Sequence, residues 1–247
     1  MPVTLKQFSA ALVLVLLGGS ADSRAAGKRT LVLYRPTSST FFIQDGDDAP
    51  RELPMGVVGD YPLWADFNGT GKRVPAVYRK GRWLISTTAN GNADLTIEFG
   101  GQPGDVPLAG DVDGDGKADL VVFRGGQWHV RGTRNPATPQ IFHFGTLGDV
   151  PLLADFDGDG KLDLAVYRGG QWFVDTHRDG KASLTLAFGG ISGDRPLAAD
   201  WDGNKQTALI VFREGNWLVS GARDGKVSAQ EAFGRRGDLP VAVIAGK

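Results

Sequence analysis

The alternation of apolar and polar residues between positions 148 and 193 predicts four short β-strands. The second segment is apolar at almost every position and is typical of a buried strand, whereas the fourth alternates regularly between polar and apolar residues. Gly169 and Gly170 predict a tight turn between the second and third segments. The four segments are 150–154, 164–168, 171–174 and 183–188.

This unit recurs along the chain with one period. A Gly-Asp-x-Pro motif appears at intervals of 45, 44, 45 and 44 residues, with its aspartates at Asp60, Asp105, Asp149, Asp194 and Asp238. An aromatic residue followed by arginine keeps the same spacing, with the arginines at Arg35, Arg79, Arg124, Arg168 and Arg213. A third marker is Trp83, Trp128, Trp172 and Trp217, with Phe41 in the first place. A fourth is Phe-Gly at Phe99, Phe144, Phe188 and Phe233, with Met55-Gly56 in the first place. Four antiparallel strands repeated every ~40–50 residues are typical of a β-propeller blade.

The two ends of the repeat array predict how the ring closes. Residues 27–35 align with 160–168, so the N-terminal segment supplies strands two to four of a blade, and residues 237–247 supply its missing first strand. We therefore expect an all-β, five-bladed propeller of four-stranded antiparallel blades, closed by pairing the C-terminal strand with the N-terminal segment. The competing interpretation is an open array or a fragment of a larger propeller. The predicted blades are 59–103, 104–147, 148–192, 193–236, and 27–58 with 237–247.

Two nine-residue loops, 111–119 and 155–163, concentrate negative charge. Each has aspartate at its first, third, fifth and ninth positions and glycine at its fourth and sixth. Such crowding costs electrostatic repulsion unless a cation gathers the carboxylates, and a hard divalent ion with six to eight oxygen ligands, above all calcium, suits the cluster. The glycines permit the sharp turns that bring alternate side chains to one centre. The bland alternative is that these loops are ordinary Asp-Gly turns.

Composition narrows the class of protein. The formal net charge of the 247 residues is −1, without a basic tract, so nucleic acid is not an expected partner. No cysteine is present, which excludes disulfides and thiolate metal sites. Residues 1–26 resemble a secretory signal peptide, cleaved within 21–26, and their apolar run is shorter than the ~20 residues of a membrane span. We expect a secreted, periplasmic or cell-surface protein, where millimolar calcium would fill even weak sites.

Together, the Phe-Gly, Gly-Asp-x-Pro and Asp-x-Asp-x-Asp-Gly-x-x-Asp motifs resemble the FG-GAP/VCBS repeat family, whose blades also build the integrin α-subunit head. The resemblance covers residues 27–247 and implies that each carboxylate loop joins the first two strands of a blade and binds calcium. It implies side-chain ligands at Asp111, Asp113, Asp115 and Asp119, and at Asp155, Asp157, Asp159 and Asp163. It also implies that Lys117 and Lys161 contribute backbone carbonyls. An EF-hand is the wrong analogy, because Val122 and Val166 stand at the twelfth positions and no helix pattern flanks the loops.

The two remaining loops depart from the pattern. The loop that begins at Asp66 has lost the carboxylates at positions five and nine, and we expect no metal there. The loop that begins at Asp200 keeps Asp202 and Asn204 but lacks the ninth carboxylate, so it could form a weaker third site. Affinity for calcium follows the charge count and the rigidity of the ligands.

Two further sets of residues have a structural and a functional interpretation. Five-fold repetition of the motif arginines and aspartates favours ion pairs that pin the connections between blades over a charged binding ring. Trp64 and Trp201 fall outside the register of the repeated tryptophans and could contact a ligand, although packing is the simpler explanation.

The expected function is binding rather than catalysis. His129, His143 and His177 lie in different repeats, and no nucleophile–base motif or phosphate loop is recognisable. The resemblance implies recognition of an extracellular glycan or protein, and we expect a monomeric, non-catalytic binding or adhesion module. The alternatives are a polysaccharide-acting enzyme with a site in the propeller channel, or a purely structural envelope protein.

Overall fold

A computed structural model describes residues 29–244, and the predicted signal peptide therefore lies outside the described residues. The strands in chain order are β1 (Thr30–Arg35), β2 (Thr40–Asp45), β3 (Arg51–Pro54), β4 (Tyr61–Ala65), β5 (Val74–Arg79), β6 (Arg82–Ile85), β7 (Leu95–Glu98), β8 (Val106–Gly110), β9 (Asp119–Arg124), β10 (Gln127–Arg131), β11 (Gln140–His143), β12 (Val150–Ala154), β13 (Asp163–Arg168), β14 (Gln171–Asp175), β15 (Leu184–Ala187), β16 (Arg195–Asp200), β17 (Thr207–Arg213), β18 (Asn216–Ser220), β19 (Ala229–Ala232) and β20 (Leu239–Ile244). Among the described residues, no helix is long and apolar enough to cross a membrane.

The strands form five antiparallel four-stranded sheets, which are the blades of a β-propeller. Blade 1 is β4–β7, blade 2 is β8–β11, blade 3 is β12–β15, blade 4 is β16–β19, and blade 5 is β20 followed by β1–β3. The first strands of the five blades contact one another in sequence, and β20 returns to β4. They therefore surround the ring axis, and the all-β five-bladed architecture is confirmed.

Pairing between the two ends of the described chain closes the ring. Strand β20 pairs antiparallel with β1, from Thr30 opposite Ile244 to Tyr34 opposite Leu239, with a register shift between Val32 and Leu33. Blade 5 is thus completed by a strand from the opposite end of the chain, as predicted. Closure leaves no blade as an open edge of the ring.

The core lies between blades rather than inside any one of them. Each second strand is buried on both faces, which explains its continuous apolar sequence. In β9, Val121 and Phe123 pack toward Leu164 and Val166 of blade 3, whereas the alternate residues of β9 pack toward blade 1. Five such clusters join neighbouring blades. Because a blade buries its apolar surface only against its neighbours, closure completes the core.

The repeated tryptophan anchors each of four blades. Trp172 is fully buried, and its ring packs edge-on against Tyr167 with centroids 5.2 Å apart. Its Nε1 donates a hydrogen bond to the carbonyl of Phe188, at 3.0 Å. The same bond links Trp83, Trp128 and Trp217 to the phenylalanine of their own Phe-Gly motif. In blade 5, Phe41 takes the place of the tryptophan and packs on Tyr34.

Ion pairs of the motif arginines and aspartates hold the connections that enter the blades. Arg213 Nε donates to Asp194 Oδ1 at 2.6 Å, and the same carboxylate accepts the backbone N–H groups of Gly190 and Ile191. All five pairs form, with Nε–Oδ1 distances of 2.6–2.9 Å. The structural interpretation of this repeated set is therefore confirmed.

The motif glycine is required where these connections begin. Gly145 has a φ of +83°, and a Cβ added there would lie 2.8 Å from Val166 Cγ1 and 3.0 Å from Asp149 Oδ2. Both the left-handed backbone and the close approach of the carboxylate exclude a side chain.

Candidate metal centres

The two full carboxylate loops join the first and second strands of blades 2 and 3, at the end of each blade opposite the arginine–aspartate pairs. Gly114 and Gly116 have φ values of +78° and +88°, and Gly158 and Gly160 have values of +84° and +86°. These left-handed turns are accessible to glycine at no steric cost. They fold each nine-residue segment back onto its first aspartate.

The first aspartate organises each loop through backbone hydrogen bonds. Asp111 Oδ1 accepts the N–H of Gly114 at 2.6 Å, and its Oδ2 accepts that of Gly116 at 2.8 Å. Asp155 accepts the N–H groups of Gly158 and Gly160, at 2.6 and 3.0 Å. The shape of the loop therefore rests on its own amides and first carboxylate.

Two carboxylate triads result, one in each loop. One carboxylate oxygen from each of Asp111, Asp113 and Asp115 lies within 4.8 Å of the others, and Asp155, Asp157 and Asp159 do the same. Oxygens bound to one calcium ion at 2.3–2.6 Å lie at most about 5 Å apart. The donor type and the spacing of both triads thus fit a calcium ion.

The ninth-position aspartates stand apart from the triads. Asp119 is completely buried and accepts the N–H groups of Val112 and Thr133, at 2.9 and 3.0 Å. Asp163 accepts the N–H of Phe156 at 2.7 Å. Their assignment as ligands stays a prediction, and their observed role is to tie the end of the loop to its second residue.

Burial and neighbouring charges perturb both ninth-position carboxyls. Burial raises the pKa of Asp163 to about 6, and the charges of Asp157 and Asp155 add to the rise. Burial also raises the pKa of Asp119, against the hydrogen bond from Val112. A cation at either triad would oppose these shifts by favouring the ionised forms.

The seventh-position lysines lie against the preceding loop. The stem of Lys161 covers Gly114, where an added Cβ would be 3.2 Å from Lys161 Cγ, and the stem of Lys117 covers Gly69 in the same way. Their backbone N–H groups donate to Asp159 and Asp115, both at 2.8 Å. The predicted ligation by their carbonyls is a further step that stays a prediction.

Hydrogen bonds that the motifs did not predict join the two loops. Leu162 N–H donates to the carbonyl of Asp111 at 3.0 Å. Arg178, from the turn between β14 and β15, donates to the carbonyls of Val112 and Leu162, at 2.6 and 2.9 Å. The two loops are therefore connected by direct hydrogen bonds and through Arg178. The sequence signal was an arginine at the same place in three successive turns, Arg134, Arg178 and Arg223.

The two triads differ in their surroundings. Thr133 donates a short hydrogen bond to Asp115, and this bond lowers the pKa of Asp115. Arg134 Nη1 lies 3.5 Å from Asp113 Oδ1. The carboxylates of Asp157 and Asp159 are exposed, and no ion pair to them is found within residues 29–244. The triad at Asp155 therefore carries the less compensated negative charge.

The degenerate loops keep the fold of the full ones. Asp66 accepts the N–H groups of Asn68, Thr70 and Gly71, although the loop has a single carboxylate. Asp200 accepts the N–H groups of Gly203 and Lys205, and Asp202 accepts that of Asn204. The weaker site proposed at Asp200, Asp202 and Asn204 stays a prediction.

Both unusual tryptophans are buried. Trp64 is 8% exposed, with its ring centroid 5.5 Å from that of Phe41. Trp201 is 6% exposed and lies under the guanidinium of Arg29, which is 4.3 Å from the ring centroid. A ring covered by protein offers no open face to a sugar, so the placement of Trp64 and Trp201 favours packing over ligand contact.

Comparisons with known proteins agree with this architecture. The FG-GAP-like repeat matches residues 111–166, which include both full loops. No curated protein matches the sequence significantly.

Among solved structures, a protein of unknown function from Bacteroides caccae aligns with a TM-score of 0.52 at 11% identity, over 83% of this chain and 73% of its own. A lectin from Agrocybe aegerita that recognises non-reducing terminal N-acetylglucosamine aligns with a TM-score of 0.48 at 14% identity, over 90% of this chain and 71% of its own. AztD from Citrobacter koseri aligns with a TM-score of 0.42 at 11% identity, over 90% and 99%. At 11% identity, the likeness to the Bacteroides caccae protein concerns the fold alone. The chain is therefore a five-bladed β-propeller in which residues 111–166 match the FG-GAP-like repeat.

Proposed function

We propose that this protein is an exported, calcium-stabilised propeller that serves as a non-catalytic binding module for an extracellular glycan or protein. The observation that carries the calcium assignment is the pair of carboxylate triads in adjacent blades, each with oxygens within 4.8 Å of one another. Three carboxylates at such distances repel one another unless a cation joins them.

The residues of each loop have two different roles. Asp111 and Asp155 set the loop shape through backbone N–H groups, while Asp113, Asp115, Asp157 and Asp159 complete the oxygen sets. Bound calcium supplies charge neutralisation and thereby stabilises the folded state by mass action. Through Leu162 and Arg178, ordering of one loop supports the other.

A thermal melt tests the calcium assignment. The melting temperature should rise with added calcium and fall again with chelator, and the double variant Asp115→Ala/Asp159→Ala should lose the rise. At a calcium concentration of 100 Kd, each site contributes about 2.7 kcal/mol.

The matched control for that melt is Asp179→Ala/Asp224→Ala. It removes two exposed aspartates from Asp-Gly-Lys turns of the same face, where each accepts the N–H of the following lysine. The control should keep the full calcium response. A wild-type melt that ignores both calcium and chelator would refute the assignment.

A histidine–serine contact is the feature closest to catalysis. His177 Nδ1 and Ser183 Oγ are 3.2 Å apart on an exposed turn. Ser183 Oγ also accepts the N–H of Thr176, and Ser228 accepts the N–H of Gly221 in the next blade without any histidine. The repeated role of this serine is to close the turn, which supports a binding function over an enzymatic one.

A glycan array, read with and without chelator, tests the binding function. We expect selective binding that weakens on calcium removal if loop order supports the ligand site. Absence of binding under both conditions would contradict the glycan-binding proposal while leaving the calcium assignment intact.

A further inference from the structure

A groove of about 430 Å³ lies between blades 1 and 2, on the face opposite the carboxylate loops. Tyr61, Tyr78, Lys80, Gln102 and Asp105 line it, and the remaining wall is glycine and proline. Its volume falls within the range of small-ligand sites. Because Tyr61 begins β4 and Lys80 follows β5, the groove is built at the start of the blade, far from the metal loops.

The groove is formed by departures from the five-fold repeat. At the position of Tyr61, the other blades carry Val106, Val150, Arg195 and Leu239. At the position of Lys80, blades 2 and 3 carry Gly125 and Gly169, and blade 4 carries Glu214, which has the opposite charge. A feature needed for every blade would repeat, so the fold does not require these two side chains.

The backbone of Lys80 adopts a left-handed conformation that is energetically unfavourable for a residue with a side chain. Its φ is +49°, in the left-handed region where Gly125 and Gly169 both have +55°. A non-glycine residue there is disfavoured. The side chain is exposed, and within residues 29–244 its ammonium makes no ion pair or hydrogen bond. Nothing in the described fold therefore accounts for lysine in place of glycine.

The only acid that lines the groove is already neutralised. The side chain of Asp105 is 2% exposed, and its oxygens accept from Arg124 Nε at 2.7 Å and from the N–H groups of Gly101 and Gln102 at 2.8 and 2.9 Å. The free charge that the groove presents to solvent is therefore the positive charge of Lys80.

Tyr61 adds an aromatic surface, and no hydrogen bond to its hydroxyl is found within residues 29–244. The residue is 44% exposed, although its neighbours in the strand are buried. Surrounding protein raises the pKa of its phenol, and the charge of Arg195, the corresponding residue of blade 4, partly opposes that rise. Arg195 is thus a second cation near the ring.

We infer that this groove binds an acidic saccharide, whose sugar ring stacks on Tyr61 and whose carboxylate pairs with Lys80. An exposed aromatic ring receives the apolar face of a sugar, and an unpaired ammonium complements a carboxylate. Gln102 and the backbone of the glycine wall supply hydrogen-bonding groups for hydroxyls. This inference rests on the proposed binding function and gives it a site and a ligand class.

The test uses substitutions to residues that other blades have at the equivalent positions. Tyr61→Val copies Val106 and Val150, and Lys80→Gly copies Gly125 and Gly169, so both should fold. Calorimetry would measure binding of tetragalacturonate and of a glucuronate-containing hyaluronan tetrasaccharide. Fully methyl-esterified tetragalacturonate is the neutral control, and tetraglutamate is the peptide control.

At least one uronate probe should bind at least about tenfold more tightly than both controls, and its affinity should fall with salt. Each of the two variants should weaken binding by about tenfold. Glu214→Gly, at the same turn of blade 4 where φ is +51°, should leave binding unchanged.

Three results would overturn the acidic-saccharide site: no binding of either uronate, equal binding of the methyl ester, or unchanged affinity in Lys80→Gly. Tighter binding of tetraglutamate would instead assign the groove to an acidic peptide. An array hit that survives Lys80→Gly would leave the proposed function standing with a different site, whereas absence of any array hit would count against the proposed glycan binding.

Discussion

The two faces of the ring differ in how strictly the five blades repeat. On the face where blades connect, every blade has an arginine–aspartate pair with an Nε–Oδ1 distance of 2.6–2.9 Å. On the opposite face, two of the described loops carry carboxylate triads, whereas the loop at Asp66 has a single carboxylate and the loop at Asp200 has two.

This difference distinguishes interactions that every blade needs in order to fold from features that occur in individual blades. An interaction present in all blades holds the connections, whereas triads in two neighbouring blades mark a local property. The groove at Tyr61 and Lys80 is the corresponding local feature of the otherwise uniform face. Departure from the repeat is therefore the more informative guide to function.

The largest expected effect comes from breaking a repeated pair. Asp194→Ala removes the partner of Arg213 and leaves the N–H of Ile191 without an acceptor. The N–H of Gly190 loses one of its two acceptors and keeps the hydroxyl of Tyr167. We expect a loss of about 2–3 kcal/mol, measured by chemical denaturation in chelator. Asp179→Ala, an exposed aspartate on the other face, should change stability by less than about 0.5 kcal/mol. Equal effects would remove the distinction between the faces.

A smaller effect should distinguish the positions within one loop. In chelator, Asp155→Ala should cost about 1–2 kcal/mol because Gly158 and Gly160 lose their acceptor. Asp157→Ala should cost less, because Asp157 accepts a single backbone N–H, that of Asp159, at 3.1 Å. In calcium, both variants should lose the stabilisation of that site. The same loss for both variants in chelator would show that the loop has no metal-independent frame.

A gain of function would sharpen the contrast between full and degenerate loops. The Asp66 loop already has the required turn, so Asn68→Asp/Thr70→Asp should create a third triad and add about 1.4 kcal/mol of calcium-dependent stability at ten times Kd. Asn68→Ser/Thr70→Ser is the neutral control. An unchanged calcium response in a folded double-aspartate variant would mean that the missing ninth carboxylate is indispensable.

The smallest effect is the acid sensitivity of the uniform face. Burial alone would raise the pKa of Asp105, Asp149 and Asp194, but the paired arginines and the backbone N–H groups outweigh it, so each pKa lies below its usual value. Their contribution to stability is present above the unfolded pKa of about 4 and is lost as pH falls through the folded values. A pH titration of the melting temperature in chelator should show this loss below about pH 4, and Asp194→Ala should reduce it.

Most of the fold could be predicted from the sequence, because the repeat is local and periodic. The continuous apolar run at 164–168 follows from burial of β13 on both faces, and the Pro in each Gly-Asp-x-Pro follows from the first strand being an edge strand. The carboxylate triads could also be predicted, since the three aspartates of each triad lie within one short loop.

The groove was not predicted, because its residues come from β4, a hairpin turn and the next connection, and no motif joins them. The sequence also could not predict that Asp119 and Asp163 lie outside the triads, since their positions depend on which backbone N–H groups reach each carboxylate.

Periodic residues alone were enough to establish the number of blades, their closure through β20 and β1, and the places where carboxylates gather, because each of these depends on local spacing and on burial of apolar faces. The tertiary structure decided how Arg178 joins the two loops, how Trp64 and Trp201 are buried, and where Tyr61 and Lys80 meet. Those outcomes depend on contacts between blades, which follow from the angle and closeness of their packing rather than from the spacing of residues along the chain.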